Sequence, residues 1–181
     1  MRSRRSSVTG SARALRRALA EAVVGAVVFA AVAQGQTPPS IPDTLKPPAS
    51  QYLRVHAHAS GQQIYVCDGS KWILNGPDAT LFDQAGQKVG SHFAGPTWRW
   101  SDGSQVTGKP IANATLDPDS IPWLLLTATG HAGGGVMKNV SSIQRLQTKG
   151  GKAPASDCGA SRKGEQARVP YTADYYFYVP R

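Results

Sequence analysis

The chain has 181 residues, with 20 lysines and arginines against 11 aspartates and glutamates, so its formal net charge is +9. Six arginines and one glutamate lie in residues 1–33, and the rest of the chain therefore carries a net charge of only +4. A nucleic-acid-binding surface concentrates basic residues on one face among aromatic ones, whereas the basic residues after position 33 are scattered. We expect no nucleic-acid partner.

Residues 1–33 are predicted to be a cleaved signal peptide. Arginines precede an apolar run from Ala22 to Ala33, and the run ends in Ala31-Val32-Ala33, a small-x-small sequence typical of signal-peptidase sites. A membrane-spanning helix needs about 20 apolar residues, and Glu21 interrupts this stretch. We therefore expect an exported protein, periplasmic or extracellular, with no transmembrane segment after cleavage. The arginine pairs leave both Sec and twin-arginine export open.

The rest of the chain has the length of one domain. The proline-rich residues 34–49 predict an extended lead-in, and residues 50–181 are predicted to form the domain itself. The chain has two cysteines, Cys67 and Cys158. In an oxidising compartment two such distant cysteines most simply form one structural disulfide, which closes a loop of about 90 residues and contributes on the order of 4 kcal/mol in the chain-entropy model.

The composition after the leader predicts strands. Glu165 is the only glutamate there, and no 12-residue window carries a helical stripe of apolar residues. Short apolar or alternating runs recur between turn signals, at 63–67, 71–74, 79–82, 88–93, 97–100, 104–107, 123–128, 142–147 and 175–179. About nine such strands predict an all-β, single-domain antiparallel sandwich or barrel. The glycine-rich stretches 130–135 and 149–164 are predicted to be long exposed loops.

Local signals predict two hairpins and the surroundings of the last strand. Residues 83–86 and 101–104 each carry aspartate and glycine between two strands, as tight hairpin loops do.

The strand 175–179 has no polar face, so it should be covered on both sides. Asp174, just before that strand, could form a pair with Arg145 in the interior or at its rim, and a structural role is expected for such a pair.

Several segments, in order along the chain, carry a family resemblance. They are 61–67, 91–98 with 102–104, 143–145, 148–154 with Cys158, and 169–178. Together they resemble the uncharacterised exported family called domain of unknown function three-four-five-five, over nearly the whole expected mature chain. The resemblance implies a secreted or envelope protein of bacteria or fungi and carries no established activity.

Four residues are candidates for ligand binding: His92, Trp98, Trp100 and Asp102. His92, Asp102 and Ser104 could form a Ser-His-Asp group, but short motifs more often have a structural role. In that role Asp102 and Ser104 make the bonds of a tight turn, while the His92 ring packs and donates to a backbone carbonyl. Trp98 and Trp100 share one strand face, which is a platform for a carbohydrate or small aromatic ligand if exposed and core if buried.

His56 and His58 point to the same side of a strand, and His92 could complete a zinc or copper site with them. A solvent-facing pair explains the two histidines equally well, so we assign no metal ligand, no catalytic residue and no cofactor. The sequence thus predicts an exported, non-catalytic binding or structural module of the envelope or extracellular space. The alternative is a metal-binding protein or an enzyme with a site around His92.

Overall fold

A computed structural model of the chain describes residues 40–155 and 158–181, and the predicted signal peptide lies outside them. It contains eight antiparallel strands: β1 (Gln51–Cys67), β2 (Trp72–Phe82), β3 (Lys88–Phe93), β4 (Thr97–Trp100), β5 (Gln105–Ala114), β6 (Trp123–Ala132), β7 (Ser142–Gly150) and β8 (Gln166–Pro180). Each strand pairs with the next, and β8 pairs with β1, so the sheet closes into a barrel. The predicted all-β antiparallel class is confirmed, and of the two architectures the barrel is formed.

The barrel has one strand fewer than the sequence predicts, because 71–74 and 79–82 belong to the single strand β2. The apparent turn between them is a bulge: Ile64 of β1 pairs with Gly76, whereas the next residue, Tyr65, pairs with Leu74. Gly76 has φ +149°, and a side chain there would meet the β-carbon of Ala94 at 2.6 Å. The glycine therefore lets β2 bend closely against the β3–β4 turn.

Both predicted hairpin loops are present. In the first, the amide of Gly86 donates to the carbonyl of Asp83 at 3.0 Å, and the Asp83 carboxylate accepts the amides of Ala85 and Gln87. In the second, the amide of Trp100 donates to the carbonyl of Ser104 at 2.8 Å. These aspartate turns set the register of β2 with β3 and of β4 with β5.

The last strand, β8, is covered on both faces, as predicted. Its residues Tyr171, Ala173, Tyr175, Phe177 and Val179 lie in the core inside the barrel. The intervening Tyr176 and Tyr178 face outward, where they pack with Leu45 from a short 3₁₀ turn, Asp43–Leu45, in the segment before β1. The Gln144 side-chain amide fixes this contact by donating to the carbonyl of Leu45 at 2.6 Å and accepting from the Tyr178 hydroxyl at 2.7 Å.

The barrel has two ends, named here by their connections. The turn end carries the connections 83–87, 101–104 and 133–141, and the disulfide end carries 68–71, 94–96, 115–122 and 151–165. At the disulfide end Cys67 is bonded to Cys158 with α-carbons 5.4 Å apart, which confirms the predicted pair.

The two predicted glycine-rich loops are shorter than expected, because β6 continues to Ala132 and β7 continues to Gly150. Among the described residues, no helix has the length and hydropathy needed to cross a membrane.

Candidate functional site

The barrel interior contains a cavity of about 150 Å³ toward the disulfide end. Side chains from every strand and from the β3–β4 turn line it, most of them apolar or aromatic: Gln63, Leu74, Pro77, His92, Pro96, Trp98, Pro110, Leu124, Leu126, Arg145 and Tyr175. An apolar protein cavity of roughly 150 Å³ is large enough to take up benzene. The cavity therefore has the size for one aromatic ring.

One side of the disulfide end is closed, and the cavity opens at the other. On the closed side the Thr148 hydroxyl donates to the carbonyl of Ile121, and the Tyr65 hydroxyl donates to the carbonyl of Gly151, each at 2.6 Å. These bonds tie Ile121, in the connection 115–122, to β7 and tie Gly151, which follows β7, to β1. On the open side the lining residue Leu74 is 54% exposed. The exposed lining residues Leu74 and Pro110, with the partly exposed Pro96, mark an apolar mouth of the cavity.

His92 is buried in the wall of this cavity and is uncharged. Its ring stacks on Trp98, with ring centres 4.3 Å apart, and meets the ring of Tyr175 edge-on at 5.1 Å. Its Nδ1 lies 2.9 Å from the carbonyl of Thr97, so we assign the proton to Nδ1, which donates it. Burial lowers the pKa of His92 to about 3, with a smaller contribution from the charge of Arg145 and in spite of the bond to Thr97. The Nε2 atom is then a neutral acceptor at physiological pH.

Arg145 supplies positive charge beside the cavity. It is half-buried on β7 and lies opposite Tyr175 of β8. Its Nε and Nη2 atoms donate to the carbonyl of Pro122 at 3.1 and 2.8 Å. Among the described residues no carboxylate forms an ion pair with it.

The predicted pair of Arg145 with Asp174 is wrong. Successive residues of a strand point to opposite faces, so Asp174 lies outside the barrel while Tyr175 and its partner Arg145 lie inside. Outside, the Asp174 carboxylate is 3.0 Å from Nδ1 of His58 and 3.3 Å from Nε2 of His56. Burial alone would raise the pKa of Asp174, but the two histidines lower it below its ordinary value.

Three buried donors have no acceptor among the described residues: the indole N–H of Trp98 and the hydroxyl of Tyr175, both from residues that line the cavity, and the hydroxyl of Tyr171. The two hydroxyls neighbour each other, and that of Tyr175 neighbours Arg145, but none of these contacts has hydrogen-bond geometry. Burial raises the pKa of Tyr175, so its hydroxyl keeps its proton. Each buried unpartnered donor costs about 1–3 kcal/mol, and an acceptor entering the cavity would recover that cost.

The four predicted ligand-binding residues do not form one site. His92 and Trp98 lie together in the cavity wall, whereas Trp100 lies further along the interior and packs against Phe177 with ring centres 6.4 Å apart. Asp102 is at the turn end, where its carboxylate accepts the Ser104 hydroxyl at 2.6 Å and the amide of Val136 at 2.8 Å. His92 pairs with Trp98 within β4, whereas Asp102 lies beyond the far end of that strand. The alternative of a Ser-His-Asp group is therefore wrong.

The three histidines considered for a metal site are on two sides of the barrel wall. His56 and His58 face outward beside Asp174, and the ring of His56 stacks on Tyr176 at 4.4 Å. His92 faces the interior. Among the described residues no group of three or more His, Cys, Asp and Glu side chains is placed to hold a metal ion.

A larger cleft of about 460 Å³ lies at the turn end, between residues such as Arg54, Val136 and Asn139. It is open to solvent, and the buried unpartnered donors of the described residues are not among its lining residues. The smaller interior cavity combines enclosure, aromatic walls and unmet donors. We therefore take the interior cavity as the candidate site.

Sequence reasoning placed Arg145 in the interior or at its rim with the wrong partner, placed Tyr175 on the covered last strand without a role in a site, and did not single out Gln63. The sequence signal for the face of Arg145 was weak, because Ile143-Gln144-Arg145-Leu146 has one apolar and one polar residue on each face of the strand. Ile143, two residues before Arg145, is a core residue of the interior. Residues two apart on a strand face the same side, so this spacing places Arg145 on the interior face and Asp174 cannot be its partner there.

The fold and the cavity define a closed eight-stranded β-barrel with a ring-sized space inside. Residues 48–179, 132 of the 181, match the family model described as "Protein of unknown function (DUF3455)". The chain belongs to this family, which is the family that the sequence motifs resemble. Comparisons with curated proteins and with solved structures gave no match to the chain.

Proposed function

We propose that the protein is an exported, non-catalytic binding protein that takes one small aromatic molecule into its barrel. The observation that carries the proposal is the ring-sized cavity bordered by Trp98, His92 and Tyr175. A ligand ring would gain the burial of its apolar surface, at about 25 cal/mol per Å², and about 0.5–1.5 kcal/mol from aromatic packing. A carbohydrate suits the cavity less well, because most of its lining side chains offer no hydrogen bond to hydroxyl groups.

A binding role rather than catalysis is supported by the surroundings of His92. One face of its ring is stacked on Trp98, and its proton is donated to a backbone carbonyl. A general base must reach the proton that it abstracts and needs a pKa near the working pH. The pKa of His92, about 3, is far from that range, so His92 serves as a wall of the cavity and a neutral acceptor.

Export to the periplasm or the extracellular space is part of the proposal. The arginine-rich leader with its Ala31-Val32-Ala33 site supports it. The Cys67–Cys158 bond supports it independently, since structural disulfides persist mainly outside reducing compartments. In that setting the barrel would capture or carry its ligand outside the cytoplasm.

Benzyl alcohol is a suitable probe for the proposed function. We expect it to bind the oxidised protein with one-to-one stoichiometry, a Kd of about 1 mM or tighter and a change in tryptophan fluorescence. Leu124→Trp should abolish binding, because Leu124 lines the cavity and the larger ring would fill it. Trp100→Phe is the matched control and should bind normally, because Trp100 is not among the lining residues. Unchanged binding by Leu124→Trp, or no binding by the wild type, would contradict the proposal.

A further inference from the structure

The interior of the barrel has more donors than acceptors beside its cavity. The guanidinium of Arg145 uses Nε and Nη2 on the carbonyl of Pro122, which leaves Nη1 and the second proton of Nη2. The Tyr175 hydroxyl and the Trp98 indole add two further buried donors without partners among the described residues. Such an excess of donors is complementary to a ligand with several acceptor oxygens.

The charge of Arg145 limits the class of ligand. A cation beside an apolar interior is costly unless it is paired, and Arg145 forms no ion pair with a carboxylate of the described residues. Its charge lowers the pKa of His92 and opposes the burial that raises the pKa of Tyr175. An anion placed beside Arg145 would therefore find an attractive charge that the fold has left uncompensated.

The shape of the donors fits a planar anion. A guanidinium binds a carboxylate through two parallel hydrogen bonds in one plane, and the hydroxyl of Tyr175 lies next to Arg145. The aromatic ring of such a ligand would then lie along the His92–Trp98 stack. A ring with its carboxylate attached directly matches a cavity of about 150 Å³.

We propose that the cavity selects aromatic carboxylates, whose carboxylate group is bound by Arg145 and the hydroxyl of Tyr175 and whose ring packs beside Trp98 and His92. This inference rests on the proposed function, because it specifies the ligand class of the same cavity. It adds one requirement: tight binding depends on the positive charge of Arg145, whereas binding of a neutral aromatic ligand does not.

Calorimetric titration with benzoate and with benzyl alcohol at pH 7 tests this requirement, since the two probes share one ring and differ in charge. We expect benzoate to bind at least tenfold tighter than benzyl alcohol. Arg145→Gln should reduce the benzoate affinity at least tenfold and change the benzyl alcohol affinity less than twofold. Arg99→Gln is the matched control, because Arg99 is exposed and lies over Phe93, away from the cavity; it should leave both affinities unchanged.

Two further measurements do not depend on the folding of Arg145→Gln. Tyr175→Phe removes only a hydroxyl and should lower the ratio of benzoate to benzyl alcohol affinity about threefold or more. In the wild type, benzoate should shift the NMR resonance of the Trp98 indole N–H. Tighter binding of benzyl alcohol than of benzoate, or an affinity ratio unaffected by both Arg145→Gln and Tyr175→Phe, would overturn the inference and leave the proposed function standing. Failure of both probes to bind would overturn both.

Discussion

His92 shows how a residue that looks catalytic in the sequence becomes a neutral part of the cavity wall. It is only 3% exposed, and its ring lies against Trp98 and Tyr175. Desolvation of this kind disfavours the charged form of a histidine. Because the packed interior opposes protonation of His92, the stability of the folded protein depends on pH in the acid range.

The pH dependence follows from the pKa of His92, which is about 3 in the folded protein and about 6.5 in an unfolded chain. Between these values the unfolded state binds the extra proton, so the free energy of unfolding falls as the pH falls. We expect His92 to account for a loss of about 2 kcal/mol between pH 7 and pH 5. The free energy of unfolding, measured with urea between pH 7 and pH 5, should therefore change less with pH in His92→Gln than in the wild type.

His131→Gln is the matched control for this measurement. His131 lies at the turn end, exposed, with Nε2 2.7 Å from the carbonyl of Val140. Its replacement leaves His92 and the interior packing untouched, so His131→Gln should keep the wild-type slope of the free energy of unfolding between pH 7 and pH 5. A wild-type slope in His92→Gln would show that other groups cause the loss.

Single residues also mark the limit of sequence reasoning. The sequence named His92 and Trp98 as separate candidates, and the structure places them side by side because the short β3–β4 turn brings them together and they pair in the sheet. It paired Arg145 with Asp174 wrongly, because the face of each residue depends on the register of β7 with β8, where Arg145 is opposite Tyr175. A shift of one residue in register exchanges inside for outside.

At the scale of the strand, β1 shows how the barrel wall bends. It runs for 17 residues and pairs with β2 on one side and β8 on the other. At Gly61 a side chain would overlap the carbonyl oxygen of Asp78 and the α-carbon of Ala79 in β2. Only glycine allows β1 and β2 to approach this closely, so Gly61 sets the tight curvature of a small barrel.

Gly61→Ala should therefore be strongly destabilising. We expect a loss of about 3 kcal/mol, at the upper end of the usual range for overpacked sites, because the clash is with the backbone of a paired strand. Gly134→Ala is the matched control, since a side chain there would meet nothing within 4 Å, and it should change the free energy of unfolding by less than about 0.5 kcal/mol. Equal denaturant midpoints for the two variants would contradict this account.

The same strands explain why the predicted number of elements was too high. Asn75-Gly76-Pro77 has the composition of a turn, yet it continues β2 through a bulge. The segment stays in a strand because it pairs with β1, and this partner is distant in the sequence and so is not visible in the local composition. The hairpins at 83–86 and 101–104 were predictable because their hydrogen bonds are local.

At the scale of the whole molecule, closure depends on contacts far apart in the sequence. Alternating strands are common to sandwiches and barrels, and only the pairing of β1 with β8 distinguishes them here. The disulfide acts over the same distance, because Cys67 and Cys158 are 91 residues apart. It joins the end of β1 to the connection before β8 and so fixes the region where the barrel closes.

Removing the disulfide should lower stability considerably. We expect Cys67→Ser with Cys158→Ser to lower the free energy of unfolding by about 4 kcal/mol, because the unfolded chain regains the freedom of a long loop. Urea unfolding of the wild type with a reducing agent should give the same loss as the double variant. A loss below about 1 kcal/mol in both experiments would show that strand pairing alone holds this region.

The closing pair of strands also brings the two ends of the barrel sequence together. Gln51 pairs with Pro180, and the amide of Arg181 donates to the carbonyl of Ser50 at 2.9 Å, both at the turn end. The mouth at Leu74 and Pro96 lies at the other end of the barrel. A tether attached after Arg181 would therefore hold the molecule on a sensor chip with its entrance directed into the flowing solution.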